Sequence, residues 1–325
     1  MSPSPMRWRK QGLVWRPEGS RAWARSHAMV PTPFMLADGT LRVFVTCLDA
    51  DGRGRPGWVD LDPQDPRRVL GAAREPLLDV GDPGSFDDSG VVVTSVISTA
   101  PGRLFMYYAG FELCTRVRYR IFTGVAASRD GGLSFTRVNR VAVLDRTEEE
   151  RLFRCGAFAM ADGGRVRLWY AAGSEWTEVG GKAVPVYDLR HLESEDGIHF
   201  AGRGQRSMEL NHAEEHGFGR PWVIRHSPRD WELFYSIRRR REGAYRLGHA
   251  VSADGVEWQR RDEDMGLEVS TDGFDSHAIS YSSVIEAGGR RYCFYNGDNF
   301  GEQGFAVAVL ETQDGDPGAR SGLGS

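Results

Sequence analysis

The apolar positions of this chain fall in short β-rich runs separated by Gly, Asp and Ser. Residues 87–135 show the pattern well. Asp87 and Asp88 precede a β-branched run through Val91–Ile97. A second apolar run, Leu104–Tyr108, follows Gly102-Arg103, and a third begins at Gly124-Val125-Ala126. Ser128-Arg129-Asp130-Gly131-Gly132 then turns the chain toward Phe135. Short β-rich runs punctuated by Gly, Asp and Ser are antiparallel strands joined by hairpins.

The unit recurs. Its first-strand apolar residue returns as Phe34, Val96, Phe158, Val223 and Val284, in steps of 62, 62, 65 and 61. Its second-strand aromatic returns as Tyr108, Tyr170, Tyr235 and Tyr295, in steps of 62, 65 and 60. The turn Ser-x-Asp-Gly returns at Ser128–Gly131, Ser194–Gly197 and Ser252–Gly255, followed by Phe135, Phe200 or Trp258. A sheet motif repeating every ~40–60 residues is the signature of a propeller. The expected fold is all-β: a five-bladed β-propeller with four-stranded antiparallel blades around a central channel. One domain at 8–311 is expected between a disordered N-terminus, 1–7, and a disordered tail, 312–325. Arg7–Trp15 reads as a strand that completes the last blade.

Length alone would allow two domains in 325 residues, but the units follow one another without a linker. The net charge of −4 gives no basic field for nucleic acid. No window approaches the ~18 apolar residues of a membrane span, and Met1–Gly12 lacks the apolar core of a signal peptide. Cys47, Cys114, Cys155 and Cys293 show no metal-binding or CxxC spacing. They read as free thiols in a reducing compartment, and the expected location is cytoplasmic.

First strands line the channel of a propeller, so polar groups at their beginnings gather on one rim. That ring comprises Ser26 and His27; Asp87 and Asp88; Arg154; Glu214, His216 and Arg220; Asp275, His277 and Tyr281. The enlarged connections Phe111–Phe122 and Gly173–Val186 add Glu112, Glu175 and Trp176, because long loops on a rigid scaffold carry function. Arg238, Asn296 and Asn299 come from following strands and loops. Each residue has a bland alternative. Asp87 and Asp88 can cap a turn, Glu214 can be solvated, Arg238–Arg241 can be an exposed hairpin, and Trp176 or Tyr281 can be packing. The Ser-x-Asp-Gly turns read as structural. Arg220 stands out, since an arginine in an innermost strand needs a partner or an anion.

In order and spacing, FDDSGV, YYAGF, VLDR, RLWYAAGSEW, PVYDLRH, GRPWVI, YRLGHAVSADGVEW and YNGDNFGEQG resemble a family of bacterial five-bladed propellers described as glycosylases or glycoside-hydrolase-like proteins. The resemblance covers nearly the whole chain. It implies the architecture of arabinanases, invertases and mannoside phosphorylases, and links to polysaccharide or secondary-metabolite biosynthesis. Arabinanase-like enzymes carry a base or nucleophile Asp in blade one. Here that strand reads Ser26-His27-Ala28-Met29-Val30-Pro31, without a carboxylate. The enzyme reading therefore takes Asp88 as base and Glu214 or Glu175 as acid. Arg220 and Arg238 clamp an anionic group. His27, Arg154, Trp176, His277, Tyr281, Asn296 and Asn299 hold a small sugar, nucleotide-sugar or sugar-derived substrate. The alternatives are a non-catalytic carbohydrate- or protein-binding propeller, or a lyase, phosphorylase or isomerase on the same scaffold. No cofactor is expected. A divalent metal on His27, His216, His277 and Asp88 is the least favoured reading, because their wide spacing gives no ligand signal.

Overall fold

The computed structural model describes residues 5–311; the expected tail at 312–325 and residues 1–4 lie outside the described residues. The backbones of Met6 and Arg7 are hydrogen-bonded to Asp264 and Glu311. Among the described residues the helical elements are a 3₁₀ turn at Asp262–Asp264 and one turn at Asp298–Gly301. Among the described residues no helix is long and apolar enough to cross a membrane.

The strands form antiparallel units of four. The first contains β2 (Ser26–Met35), β3 (Leu41–Leu48), β4 (Gly54–Leu61) and β5 (Val69–Ala72). The second contains β6 (Val91–Ala100), β7 (Arg103–Leu113), β8 (Tyr119–Ser128) and β9 (Thr136–Arg137). In the third are β10 (Phe153–Asp162), β11 (Arg165–Val179), β12 (Lys182–Ser194) and β13 (Gln205–Met208). The fourth holds β14 (Glu215–Ser227), β15 (Asp230–Arg239), β16 (Tyr245–Ser252) and β17 (Gln259–Arg260). The last combines β18 (Ser280–Ala287), β19 (Arg290–Asn296) and β20 (Phe305–Leu310) with β1 (Trp8–Trp15), which pairs antiparallel with β20. Short parallel pairings, Phe153–Arg154 with Ile121–Phe122 and Tyr187 with Gly217, join the middle units into one twelve-stranded sheet. The leading strands touch in the order β2, β6, β10, β14, β18 and back to β2.

The recurring tyrosines account for much of this regularity. Tyr108, Tyr170, Tyr235 and Tyr295 are wholly buried, and their hydroxyls meet the carboxylates of Asp87, Glu150, Asp262 and Asp275. Each carboxylate also meets a cation: Arg137, Arg154, Arg260 or Lys10. A buried phenol and a buried carboxylate each need such a partner, so the motif recurs as a set. Third-strand glycines make room for it: a Cβ at Gly124 would lie 2.2 Å from the Tyr108 ring, and one at Gly248 2.7 Å from that of Tyr235.

Two expectations about connections change. Phe111–Phe122 and Gly173–Val186 are mostly extensions of paired strands rather than loops. Pairing runs to Leu113–Tyr119 in one and Val179–Lys182 in the other. Gly180-Gly181, both at positive φ, make the tight turn that lets the second hairpin continue.

Every leading strand carries a register shift: Met29–Thr32, Val93–Ser95, Cys155–Phe158, Gly219–Trp222 and Ser280–Ser283. His27, Val30, Arg220 and Tyr281 adopt positive φ at or beside these shifts. Bulges of this kind re-aim side chains and are over-represented next to active sites. Left-handed backbone at a non-glycine residue costs about 1–2 kcal/mol, which the surrounding packing must offset.

Candidate functional site

Several residues expected to bind substrate are framework. Arg220 is 3% exposed and inserts where the leading strands meet. Nη1 donates to the carbonyls of Tyr281 and Ser282, and Nη2 to Thr32 Oγ1 and the Thr94 carbonyl. The guanidinium lies over the Trp222 ring, 4.8 Å from its centre. Its four terminal N–H groups are thus spent on β2, β6 and β18, leaving no fork for an anion. Burial lowers its pKa to about 9, so it stays charged at neutral pH. Arg154 touches Glu150 and donates to the Asp145 carbonyl, the Tyr170 hydroxyl and the Gly202 carbonyl. Asn296 is fully buried; it accepts from Val30 N and donates to the Ala28 and Gly304 carbonyls, tying the last unit to the first. Arg154, Arg220 and Asn296 looked like ligands because buried polarity without a visible partner resembles a site. Their partners are distant in sequence.

The expected carboxylates are not gathered as a pair by any contact. Asp88 is half-buried and caps a turn, accepting from Gly84 N and Ser89 Oγ. Glu214 is exposed, beside Asn211 and Arg239, and Glu175 is exposed on β11. Glu215, next to Glu214, is the buried one. Burial opposes its charge, but Arg260 and Arg239 prevail and hold its pKa below the ordinary value. The imidazole of His277 is exposed, its backbone meeting Asp298 and Arg246. His27 is half-buried at the start of β2 with Nδ1 on Ser26 Oγ; burial lowers its pKa against the pull of Glu302. Asn299 is exposed and bonds Glu302. Among the described residues no cluster of three or more His, Cys, Asp or Glu could hold a metal.

Arg238, Trp176 and Tyr281 do converge, with partners that carry no comparable signal in the chain. The Arg238 guanidinium lies 5.5 Å from the centre of the Tyr187 ring and 4.7 Å from that of Tyr245. Its Nε donates to the Tyr245 hydroxyl, which meets the Tyr187 hydroxyl at 3.3 Å. Among the described residues its Nη atoms have no hydrogen-bond partner and no carboxylate pairs with it. Phe153 links Tyr187 to Trp176, with ring centres 5.7 and 5.5 Å away, and Tyr119 sits 5.3 Å from Trp176. Tyr245 meets Tyr281 at 5.4 Å, and Phe300 stacks on Tyr281 at 6.3 Å. Burial pushes the Tyr187 and Tyr281 hydroxyls well above their ordinary range despite nearby Arg238, so both are neutral phenols. Trp176 Nε1 is a buried donor without a partner.

His216 completes the cluster. Gly217 pairs with Arg238, and the register shift between Glu215 and Gly217 makes His216 the bulged residue. A Cβ on Gly217 would lie 2.7 Å from the Tyr187 ring, so the glycine is what admits that ring. His216 Nδ1 lies 2.9 Å from the Pro185 carbonyl. A carbonyl only accepts, so Nδ1 carries the proton and the neutral ring keeps its lone pair on Nε2. Burial first, then Arg238 and Arg240, lower its pKa to about 4. The cluster therefore combines aromatic faces, one unpaired cation, an orphaned indole donor and a neutral imidazole. Tyr187 and Tyr245 had one available signal: each stands three residues before the partner of its unit's structural tyrosine, Arg190 or Gly248.

No family model matches the chain. It is 32% identical over 307 residues to the uncharacterized protein Rv1502 of Mycobacterium tuberculosis, an alignment covering 94% of this chain and all of the relative. Among solved structures it is similar to a BT0996 complex with RGII, with TM-score 0.69, 18% identity and coverage of 98% and 95% of the two proteins. It is also similar to a thermostable family-43 glycoside hydrolase, with TM-score 0.63, 16% identity and coverage of 90% and 92%. A third likeness is to a family-130 glycoside hydrolase targeting β-1,2-mannosidic linkages in Candida mannan, with TM-score 0.65, 15% identity and coverage of 95% and 95%. At these identities the structural likenesses define a shared fold, that of glycoside-hydrolase propellers.

Proposed function

The chain belongs to one family with the Mycobacterium tuberculosis protein Rv1502, and from the shared scaffold and the cluster around Arg238 we propose a sugar-active enzyme that takes an anionic sugar or sugar-derived metabolite at the channel mouth. The scaffold is read as a closed five-bladed propeller. The cyclic contacts of β2, β6, β10, β14 and β18 support that reading, as does β1 completing the last unit. The four cysteines are free, which favours a cytoplasmic location.

One observation carries the proposal: Arg238 is a cation flanked by tyrosine faces, with its outer nitrogens unspent. A planar guanidinium is suited to a carboxylate or phosphate, and aromatic faces suit the C–H face of a sugar ring. Asp88, Glu214 and Glu175 are not joined by a hydrogen bond or a shared cation. A non-catalytic sugar-binding protein is the second reading, since aromatic faces and a free guanidinium serve binding without chemistry.

The test is thermal stabilisation by neutral sugars, uronates and nucleotide-sugars. A ligand at a hundredfold excess over its dissociation constant stabilises by about 2.7 kcal/mol. The expected result is a raised midpoint with an anionic sugar in the wild type and none in Arg238→Ala. Stabilisation by neutral sugars alone, or an unchanged response in Arg238→Ala, overturns the anionic-ligand reading.

A further inference from the structure

We propose that His216 is the proton acceptor of this site and that the reaction it serves is β-elimination from a uronate-containing glycoside, with Arg238 on the uronate carboxylate. The inference rests on the anionic-sugar reading above and adds the reaction to it. Three features of the cluster point this way. His216 sits on a bulge directly beside the Gly217–Arg238 pair, which brings base and cation close enough for the Arg238 charge to act on the imidazole. Its Nδ1 is committed to the Pro185 carbonyl, which orients the ring and leaves the Nε2 lone pair without a protein partner among the described residues. Neither Arg238, His216, Tyr187 nor Tyr245 hydrogen-bonds or pairs with a carboxylate. A site built from an arginine, an imidazole and phenols is poorly equipped for carboxylate-assisted hydrolysis. It is well equipped to remove a carbon-bound proton made acidic by an adjacent, charge-neutralised carboxylate.

The step balances without a co-reactant. His216 Nε2 takes the proton from the carbon bearing the carboxylate. The electron pair of that C–H bond becomes the new C=C bond while the bond from the neighbouring carbon to the glycosidic oxygen breaks. The imidazolium returns its proton to the departing oxygen. One glycoside yields an unsaturated uronate and an alcohol, and neither water nor an oxidant is consumed.

The ligand also tunes its own base. The charged groups acting on His216 are Arg238 on β15 and Arg240 just beyond its end; Tyr187 on β12 packs against the neighbouring Gly217, and Glu215 beside it is occupied by Arg260 and Arg239. Burial and the two arginines keep free His216 neutral, with a pKa of about 4. A bound carboxylate cancels the Arg238 charge, so the pKa rises in the complex and the imidazole becomes a stronger base when it is needed.

The experiment incubates the protein with oligosaccharides of galacturonate, of glucuronate-containing glycosaminoglycans and of alginate. It follows the ultraviolet absorbance of the conjugated product, the product masses and, separately, binding by calorimetry. The expected product is unsaturated and carries no added water. His216→Asn, whose amide can still donate to Pro185, should lower kcat by roughly 10²–10⁴-fold while KM and thermal midpoint stay near wild type. The acid limb of kcat should lie above that of kcat/KM. A hydrated product, an undiminished kcat in folded His216→Asn, or uronate binding without turnover overturns the elimination and leaves the ligand reading standing. Failure to bind any uronate or other anionic sugar overturns both.

Discussion

Replacing Arg220 separates a framework arginine from a ligand clamp. Arg220→Met keeps most of the side-chain volume over Trp222 but removes all four donors. Left behind are the carbonyls of Thr94, Tyr281 and Ser282 and the hydroxyl of Thr32. An orphaned buried acceptor costs about 1–3 kcal/mol. Taking ~1 kcal/mol for each gives ~4 kcal/mol, the lower bound being apt because removing a buried charge without a counter-ion offsets part of the loss. Unfolding entropy of about 2.1 cal/mol/K per residue makes ~0.7 kcal/mol/K for 325 residues. The midpoint should therefore fall by ~6 °C, measurable by calorimetry or by denaturant titration with the slope unchanged. Ligand-induced stabilisation should survive, since the Arg238 cluster is intact. An unmoved midpoint together with a lost response to anionic sugars would refute the framework assignment and restore Arg220 as a clamp.

Other substitutions and conditions test the remaining geometry. Gly217→Ala pushes a Cβ to 2.7 Å from the Tyr187 ring, so it should abolish ligand-induced stabilisation by displacing that ring, while Gly39→Ala in the turn between β2 and β3, where a Cβ meets nothing, should not. Burial holds His191 and His216 near pKa 4, against an ordinary value of 6.5. The unfolded chain then binds more protons between those values, so stability is full above pH ~6.5 and falls as pH drops toward ~4, by up to ~3 kcal/mol per histidine. Denaturant midpoints across that window should flatten when both are changed to Gln, and an unaltered pH slope would contradict the assignment.

Much of the fold is legible in the chain because strand and turn are local problems. The β-branched runs, the recurring tyrosines and the Ser-x-Asp-Gly turns repeat at one period. The turns do as expected: Ser128, Ser194 and Ser252 accept from Gly132, Gly197 and Gly255, while Asp130, Asp196 and Asp254 accept from the residues that follow. The pairing of the first strand with the last was legible for a related reason: a four-stranded unit lacking one strand needs another at its edge.

The site depended on longer-range facts. Trp176, Arg238 and Tyr281 could be picked out as candidates, yet Arg154, Arg220 and Asn296 carry the same kind of signal in the chain. What separates them is whether a distant partner consumes their polar atoms. Arg220 finds Thr32 across 188 positions and Asn296 finds Ala28 across 268, whereas the outer nitrogens of Arg238 find nothing among the described residues. Strand alternation also fails where it matters, because register shifts in the leading strands re-aim the side chains at and around them. Periodicity thus determined the units, their order and their turns, since those follow from hydrogen bonds and burial within a few residues. Which polar groups are spent and which remain free was decided only when the units came together, since a hydrogen bond is satisfied in space and not along the chain.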